Sequence, residues 1–327
     1  MPGLQYHETI YGIYAMSKEQ IKNLPASVRD RLLKLSRERG EDFQFILTRY
    51  ANERFLYRLS RSKHHEKFVL KGAMLLMAWT QNRYRPTRDI DLLIFGEHSE
   101  ETLMKIFQEI CRIDVEPDGV TFDAENIRMM EIREDREYHG QRILLKAYLG
   151  QASIPLQFDV GFGDTVVPQI LKIDFPTILD FPTPKIQAYP KESVVSEKLQ
   201  IMVEFGIANS RMKDYCDLYV IGKYFDFEGN LLVDAIRSTF RRRHTEIPQN
   251  IPVALSDDFV TDKSKQQQWS AFIKINNVHQ IPESLEEIVS YLSEFLLPLL
   301  QAASTDSETW NHSWKDGGPW INLTIKN

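Results

Sequence analysis

The chain has 327 residues, 43% hydrophobic and 26% charged, which excludes a disordered or fibrous protein and leaves room for two hydrophobic cores. A net charge of −6 excludes a polycation that coats nucleic acid. The two cysteines, Cys111 and Cys216, lie far apart and match no zinc or redox spacing, so a reduced, cytoplasmic setting is expected. The first ten residues carry no signal-peptide pattern, and the apolar run at 295–300 is short and broken by Pro298, so no membrane span is expected.

In chain order, Ser27 is positioned to cap a helix with Val28, Leu32, Leu33 and Leu35 at helical spacing, and Gly40 ends it. A second helix carries Phe43, Ile46, Leu47, Tyr50, Phe55, Leu56 and Leu59. The apolar Phe68-Val69-Leu70 leads through Lys71-Gly72-Ala73 into a helical run from Met74 to Trp79. After a turn at Arg85-Pro86-Thr87, the triplet Asp89-Ile90-Asp91 opens an apolar strand. An amphipathic helix is expected over 100–111, and strands over 127–131, 142–148 and 154–160, with a turn at Tyr138-His139-Gly140. Prolines 168, 176, 182, 184 and 190 interrupt regular structure and read as a linker. Helices follow at 192–205, 212–223, 231–243, 263–275 and 285–297, then a tail with Trp310, Trp314 and Trp320 to which the sequence assigns no role.

The expected organisation is therefore an α+β fold. An N-terminal helical region (1–67) packs on a core (68–167) of small mixed sheet and flanking helices. A proline-rich linker (168–190), a helical C-terminal domain (191–303) and the tail (304–327) complete it.

The chemistry concentrates in three acids. Side chains two apart on a strand share a face, so Asp89 and Asp91 project together, as needed to hold divalent cations against a triphosphate. A third acid, Asp159, sits in the strand-like Leu156-Gln157-Phe158-Asp159-Val160, where an unpaired charge would be costly and a bound metal would explain it. Gly72, ahead of a helix, can expose backbone N–H groups to phosphate oxygens. Other polar residues read as structural. Asp164, beyond Gly161 and Gly163, reads as a loop acid, and His64 and His65 as surface residues. Ser193 and Ser196 read as helix-start residues, and Ser210 as the N-cap of a helix whose first turn holds Asp214. Lys198 borders an apolar stripe, where it could simply snorkel.

The runs Lys71-Gly72-Ala73, Arg88-Asp89-Ile90-Asp91-Leu92 and Phe158-Asp159-Val160-Gly161 resemble the polymerase-β-type nucleotidyltransferase superfamily. Together with Glu192–Leu199 and Asn209–Asp214, they are similar to the AbiEii/AbiGii toxins of type IV toxin–antitoxin systems, relatives of the MenT toxins. Two features depart from that pattern: Ala73 stands where Gly or Ser is usual, and fifteen residues separate Ala73 from Asp89. The resemblance implies that Asp89, Asp91 and Asp159 bind Mg²⁺ or Mn²⁺ and that Lys71, Gly72 and Ala73 lie near the nucleotide. It also implies that Lys198 and Asp214 act from the helical domain, Lys198 against phosphate charge.

The implied function is transfer of a nucleoside monophosphate from an NTP to an RNA acceptor, with the 3′ end of tRNA among the candidates, held in check by a cognate antitoxin. A small-molecule acceptor and a degenerate nucleotide- or RNA-binding module are the alternatives. Eleven Lys/Arg against six Asp/Glu between Arg29 and Lys67, together with Arg241-Arg242-Arg243, are candidate RNA-facing surfaces.

Overall fold

A computed structural model describes residues 23–80, 85–96, 98–133, 139–276, 278, 280–305 and 309–323. The N-terminal helices are α1 (Leu24–Arg39) and α2 (Phe43–Arg61). The Asn23 side chain, not Ser27, caps α1 by accepting from the Ala26 N–H at 3.2 Å. Pro25 in the first turn has no N–H to lose there, so the helix starts a turn early. Gly40 stops it in the left-handed region at φ 63°, as its position predicts.

Next come β1 (Phe68–Lys71), α3 (Gly72–Thr80), β2 (Ile90–Ile94) and α4 (Glu100–Cys111). Strands β3 (Val120–Phe122), β4 (Arg128–Arg133), β5 (His139–Leu149) and β6 (Ala152–Phe162) follow. His139 and Gly140 therefore begin a strand rather than a turn, and Tyr138 lies outside the described residues.

The span read as a linker contains β7 (Leu171–Asp174) and β8 (Lys185–Ala188). Both join the sheet, whose order is β3-β5-β6-β2-β1-β8-β7 with β4 also on β5. Pro176, Pro182 and Pro184 fall between these strands, and Pro190 caps the next helix, so the prolines punctuate the strands without excluding them.

The sheet is apolar on one face and polar on the other. In β6, Ile154, Leu156, Phe158 and Val160 are buried and alternate with Gln157 and Asp159. The buried set packs on α2 and α4, where the Phe55 ring lies 4.3 Å from Phe158 and 5.5 Å from Phe107. This core forces the acids to the opposite face. His64 is buried, its Nε2 2.7 Å from Glu109, and is not a surface residue.

The C-terminal region comprises α5 (Lys191–Phe205), α6 (Met212–Tyr224), β9 (Phe227–Glu228), α7 (Gly229–Arg242), α8 (Asp257–Thr261), α9 (Lys263–Asn276) and α10 (Leu285–Ser304). Helix α10 runs on past Pro298 because Leu296, Leu299 and Leu300 are buried around it, and that burial outweighs the roughly 3 kcal/mol an interior proline costs. The tail forms β10 (His312–Trp314) and β11 (Trp320–Asn322), which pair with each other, and β10 also pairs with β9. Its tryptophans belong to the core. Trp314 donates from Nε1 to the Gly222 carbonyl at 2.6 Å, and Trp320 to the Phe295 carbonyl at 2.9 Å.

No described helix is long and apolar enough to cross a membrane.

Candidate active site

Four charged residues form a row across adjacent strands. Lys71 on β1 is in register with Asp91 on β2, Asp91 with Asp159 on β6, and Asp159 with Arg142 on β5. Residues in register on neighbouring strands share a face, so the row reads plus, minus, minus, plus along the floor of a cleft. Asp89, two residues before Asp91, adds a third carboxylate.

Gly72 makes the row possible. It adopts φ +72°, and a Cβ built there would occupy the position of the Asp91 carboxylate. Only glycine lets β1 turn into α3 directly over that acid.

The helical region supplies the opposite wall. Lys198 of α5 donates to Asp214 at 2.7 Å and lies 2.9 Å from Asp217, both on α6. Arg211 donates to the other Asp214 oxygen at 2.7 Å, and Arg85 grips Asp217 with two bonds of 2.6 and 2.8 Å. Burial opposes charge at each site, but the pairing outweighs it. Lys198 is raised, and both Asp214 and Asp217 are lowered, from their ordinary ranges. Ser210 does not cap α6; the Asn209 side chain instead accepts from the Arg211 N–H at 2.9 Å and turns the chain just before the helix.

A third cluster lies beside Lys71. Its ammonium donates to Asp164 at 2.8 Å and to Glu197 at 3.3 Å, and Arg243 reaches Asp164 at 3.3 Å. Asp164 follows the strand in a loop, as its glycines predict, but it is a buried partner. Burial and then Asp164 push the Glu197 carboxyl up. Ser193 lies inside α5 and ties it to the Val167 backbone, and Ser196 reaches Thr239 at 2.8 Å.

Arg242, though exposed, donates to the Gly163 carbonyl at 2.6 Å, and Arg243 turns into the cleft. Arg54 and Arg58 of the N-terminal basic stretch are likewise buried against Glu53 and Asp118, because an interior guanidinium requires an acid.

Lys71, Gly72, Ala73, Asp89, Asp91, Asp159, Lys198 and Asp214 all line one cavity of about 620 Å³. Their carboxylates differ sharply in partnership. Arg142 holds Asp159 with two bonds of 2.8 Å, and Gln157 stands 3.4 Å from each of its oxygens. Asp159 is thus a paired acid, where the sequence offered no partner for its charge. Accordingly, no three His, Cys, Asp or Glu groups among the described residues are arranged to hold a metal ion.

Asp89 and Asp91, by contrast, have no ion-pair or hydrogen-bond partner for their carboxylates among the described residues. Burial pushes Asp91 up to about 6 against the pull of Lys71 and Lys213, and burial and then Asp159 raise Asp89. Two such oxygen donors fit a hard divalent cation.

The sequence assigns no cleft role to Arg142, Glu197 or Lys213, and it places Arg243 on a candidate RNA surface instead of in the cleft. Lys213 could have been found from its place between Arg211 and Asp214. It is exposed, has no ion pair among the described residues, and its charge lowers both Asp89 and Asp91. Arg142 carries no local signal beyond its place on the polar face of β5.

No curated protein matches the chain. Two Helicobacter pylori structures are similar at 14% identity over 80% of this chain, each with a TM-score of 0.45. They are JHP933, 92% covered, and a second chain, 95% covered, whose nucleotidyltransferase assignment is provisional. The family described as "Nucleotidyl transferase AbiEii toxin, Type IV TA system" matches residues 54–290, well over half of the length. The chain belongs to this AbiEii family of nucleotidyltransferase toxins.

Proposed function

We propose that this nucleotidyltransferase moves a nucleoside monophosphate from an NTP to an RNA acceptor, with Asp89 and Asp91 holding Mg²⁺ or Mn²⁺. The observation that carries this reading is the contrast among carboxylates. Asp159, Asp164, Glu197, Asp214 and Asp217 each have a Lys or Arg partner, whereas Asp89 and Asp91 have none among the described residues.

When bound, the cation would neutralise triphosphate charge and polarise the phosphoryl group. The chain's own residues do the positioning. Backbone N–H groups at Gly72 and Ala73, at the positive end of α3, are available to phosphate oxygens, and Ala73 offers no hydroxyl. Lys213 and Arg88 supply positive charge at the rim. Lys198, locked between Asp214 and Asp217, presents a fixed ammonium to the same cleft. A cavity of about 620 Å³ suits one nucleotide, leaving the acceptor to approach from the open side. The 3′ end of a tRNA is the acceptor that resemblance favours. On this reading the enzyme acts in the cytoplasm and a cognate antitoxin opposes it.

A second reading, a degenerate module that binds nucleotide or RNA without turnover, draws on the neutralisation of Asp159 by Arg142. Labelled NTPs incubated with Mg²⁺, total RNA and either the parent or Asp91→Asn distinguish the two. Label in RNA from the parent alone supports the enzyme. Label in a small molecule moves the acceptor to that class, and no label anywhere with retained NTP binding favours the module.

A further inference from the structure

Asp89 and Asp91 are held in place by different parts of the fold. Asp91 lies within the sheet, in register with Lys71 on β1 and with Asp159 on β6, so a strand on either side fixes its backbone. Asp89 stands one residue before β2 begins, outside the register pairs with both neighbours. A side chain of α2 holds it instead. The Asn52 amide donates to the Arg88 carbonyl at 2.8 Å. Because a peptide unit is planar, holding that carbonyl also orients the Asp89 N–H and the bond that leads to its Cα.

This bond is the one hydrogen-bonding use Asn52 makes of its side chain among the described residues. Asn52 is 1% exposed, beside the equally buried Ala51, Phe55 and Leu56, and its Oδ1 has no hydrogen-bond partner among the described residues. A buried amide with half its capacity unmet is disfavoured against an apolar side chain of the same size, so packing alone does not account for it. The helix that carries it is firmly placed. Phe55, less than one turn further on, packs its ring 4.3 Å from Phe158, and Phe158 is the register partner of Ile90. Helix α2 therefore grips the chain on both sides of Asp89. The exposed Arg88–Asp42 pair, at 4.0 Å, adds little to that hold.

We propose that Asn52 is a positioning residue for the cation site: it sets the peptide from which Asp89 projects, so that Asp89 and Asp91 share one ion. The inference rests on the reading of those two acids as cation ligands. Mg²⁺ demands near-ideal octahedral geometry with short bonds to oxygen, so a small displacement of one carboxylate weakens the whole site. Asn52 does not line the cleft and acts only through the Arg88–Asp89 backbone.

Mn²⁺ binding without nucleotide, followed by electron paramagnetic resonance of the free ion, tests this. Asn52→Leu is close in volume and lacks the donor, and it should bind Mn²⁺ about tenfold more weakly than the parent. Asn52→Ala serves in its place if the leucine variant does not fold. Trp314→Phe, which loses a buried hydrogen bond away from the cleft, is the control for stability alone. It should melt at a lower temperature and keep the parent's Mn²⁺ affinity. Parent-like Mn²⁺ affinity in the Asn52 variant, whatever its melting temperature, overturns the positioning role and leaves the cation reading intact. Equal weakening in Trp314→Phe overturns it as well, because the loss then follows stability. Absence of Mn²⁺ binding by the parent removes the cation reading and the positioning role together.

Discussion

Asp91 and Asp159 stand opposite one another in the β2–β6 ladder, yet among the described residues only Asp159 has a cation on its carboxylate. Two acids on adjacent strands repel, and folding tolerates them by pairing one with Arg142 and leaving the other disfavoured in its charged form. That asymmetry gives each acid a different experimental signature.

In cation-free buffer Asp91 should weaken the fold near neutral pH. Its folded pKa of about 6 exceeds the unfolded carboxylate value of about 3.9, so its cost is absent below pH 4 and complete above pH 6. Asp91→Asn should therefore raise stability at pH 7.5 by about 1–2 kcal/mol, a discounted figure because the acid borders cleft water, and change nothing at pH 4. Thermal melts at both pH values check this. Mn²⁺ should raise the melting temperature of the parent and leave that of the variant unmoved.

Gly72→Ala should abolish nucleotide transfer and cost about 1–3 kcal/mol, since its Cβ overlaps the Asp91 carboxylate at a left-handed φ. Gly40→Ala is the control for backbone strain alone. Gly40 has φ +63° with no heavy atom near its Cβ position, so about 1 kcal/mol and full activity are expected. Equal activity loss in both variants would separate the effect from Asp91.

Asp217→Ala and Lys213→Ala should behave oppositely. The first strands Arg85 as a buried cation, leaves Lys198 with Asp214 as its acid, and should cost about 3–5 kcal/mol in denaturant titrations. The second removes an exposed ammonium without an ion pair among the described residues, so stability should hold within about 0.5 kcal/mol. Its effect should appear instead as a roughly 100-fold loss of transfer rate.

Trp314→Ala should cost about 3–5 kcal/mol. The indole is buried, lies 4.8 Å from Phe295 and donates to the Gly222 carbonyl. Circular dichroism melts would expose the tail as an optional appendage if the variant melted with the parent.

Most of the elements and all three acids, Asp89, Asp91 and Asp159, are legible in local patterns of the chain. The alternation in β6 dictates that Asp159 and Val160 face opposite ways, and the Asp89-Ile90-Asp91 spacing puts its two acids on one face, because a strand has a period of two regardless of context. Ser99, the first-turn acids and the apolar spacing likewise specify α4 from local chemistry. Which charge meets which is set by the assembled fold. Arg142 lies 17 residues from Asp159, Lys71 93 from Asp164, and Arg85 132 from Asp217. Such ion pairs arise because buried charges must find opposite charges wherever the chain brings them, and nothing in local spacing encodes that meeting. For the same reason Pro298 stayed helical, the proline-rich span contributed two strands, and Arg54 and Arg58 of α2 turned inward: burial energy shared across the fold overrode what each segment would have done alone.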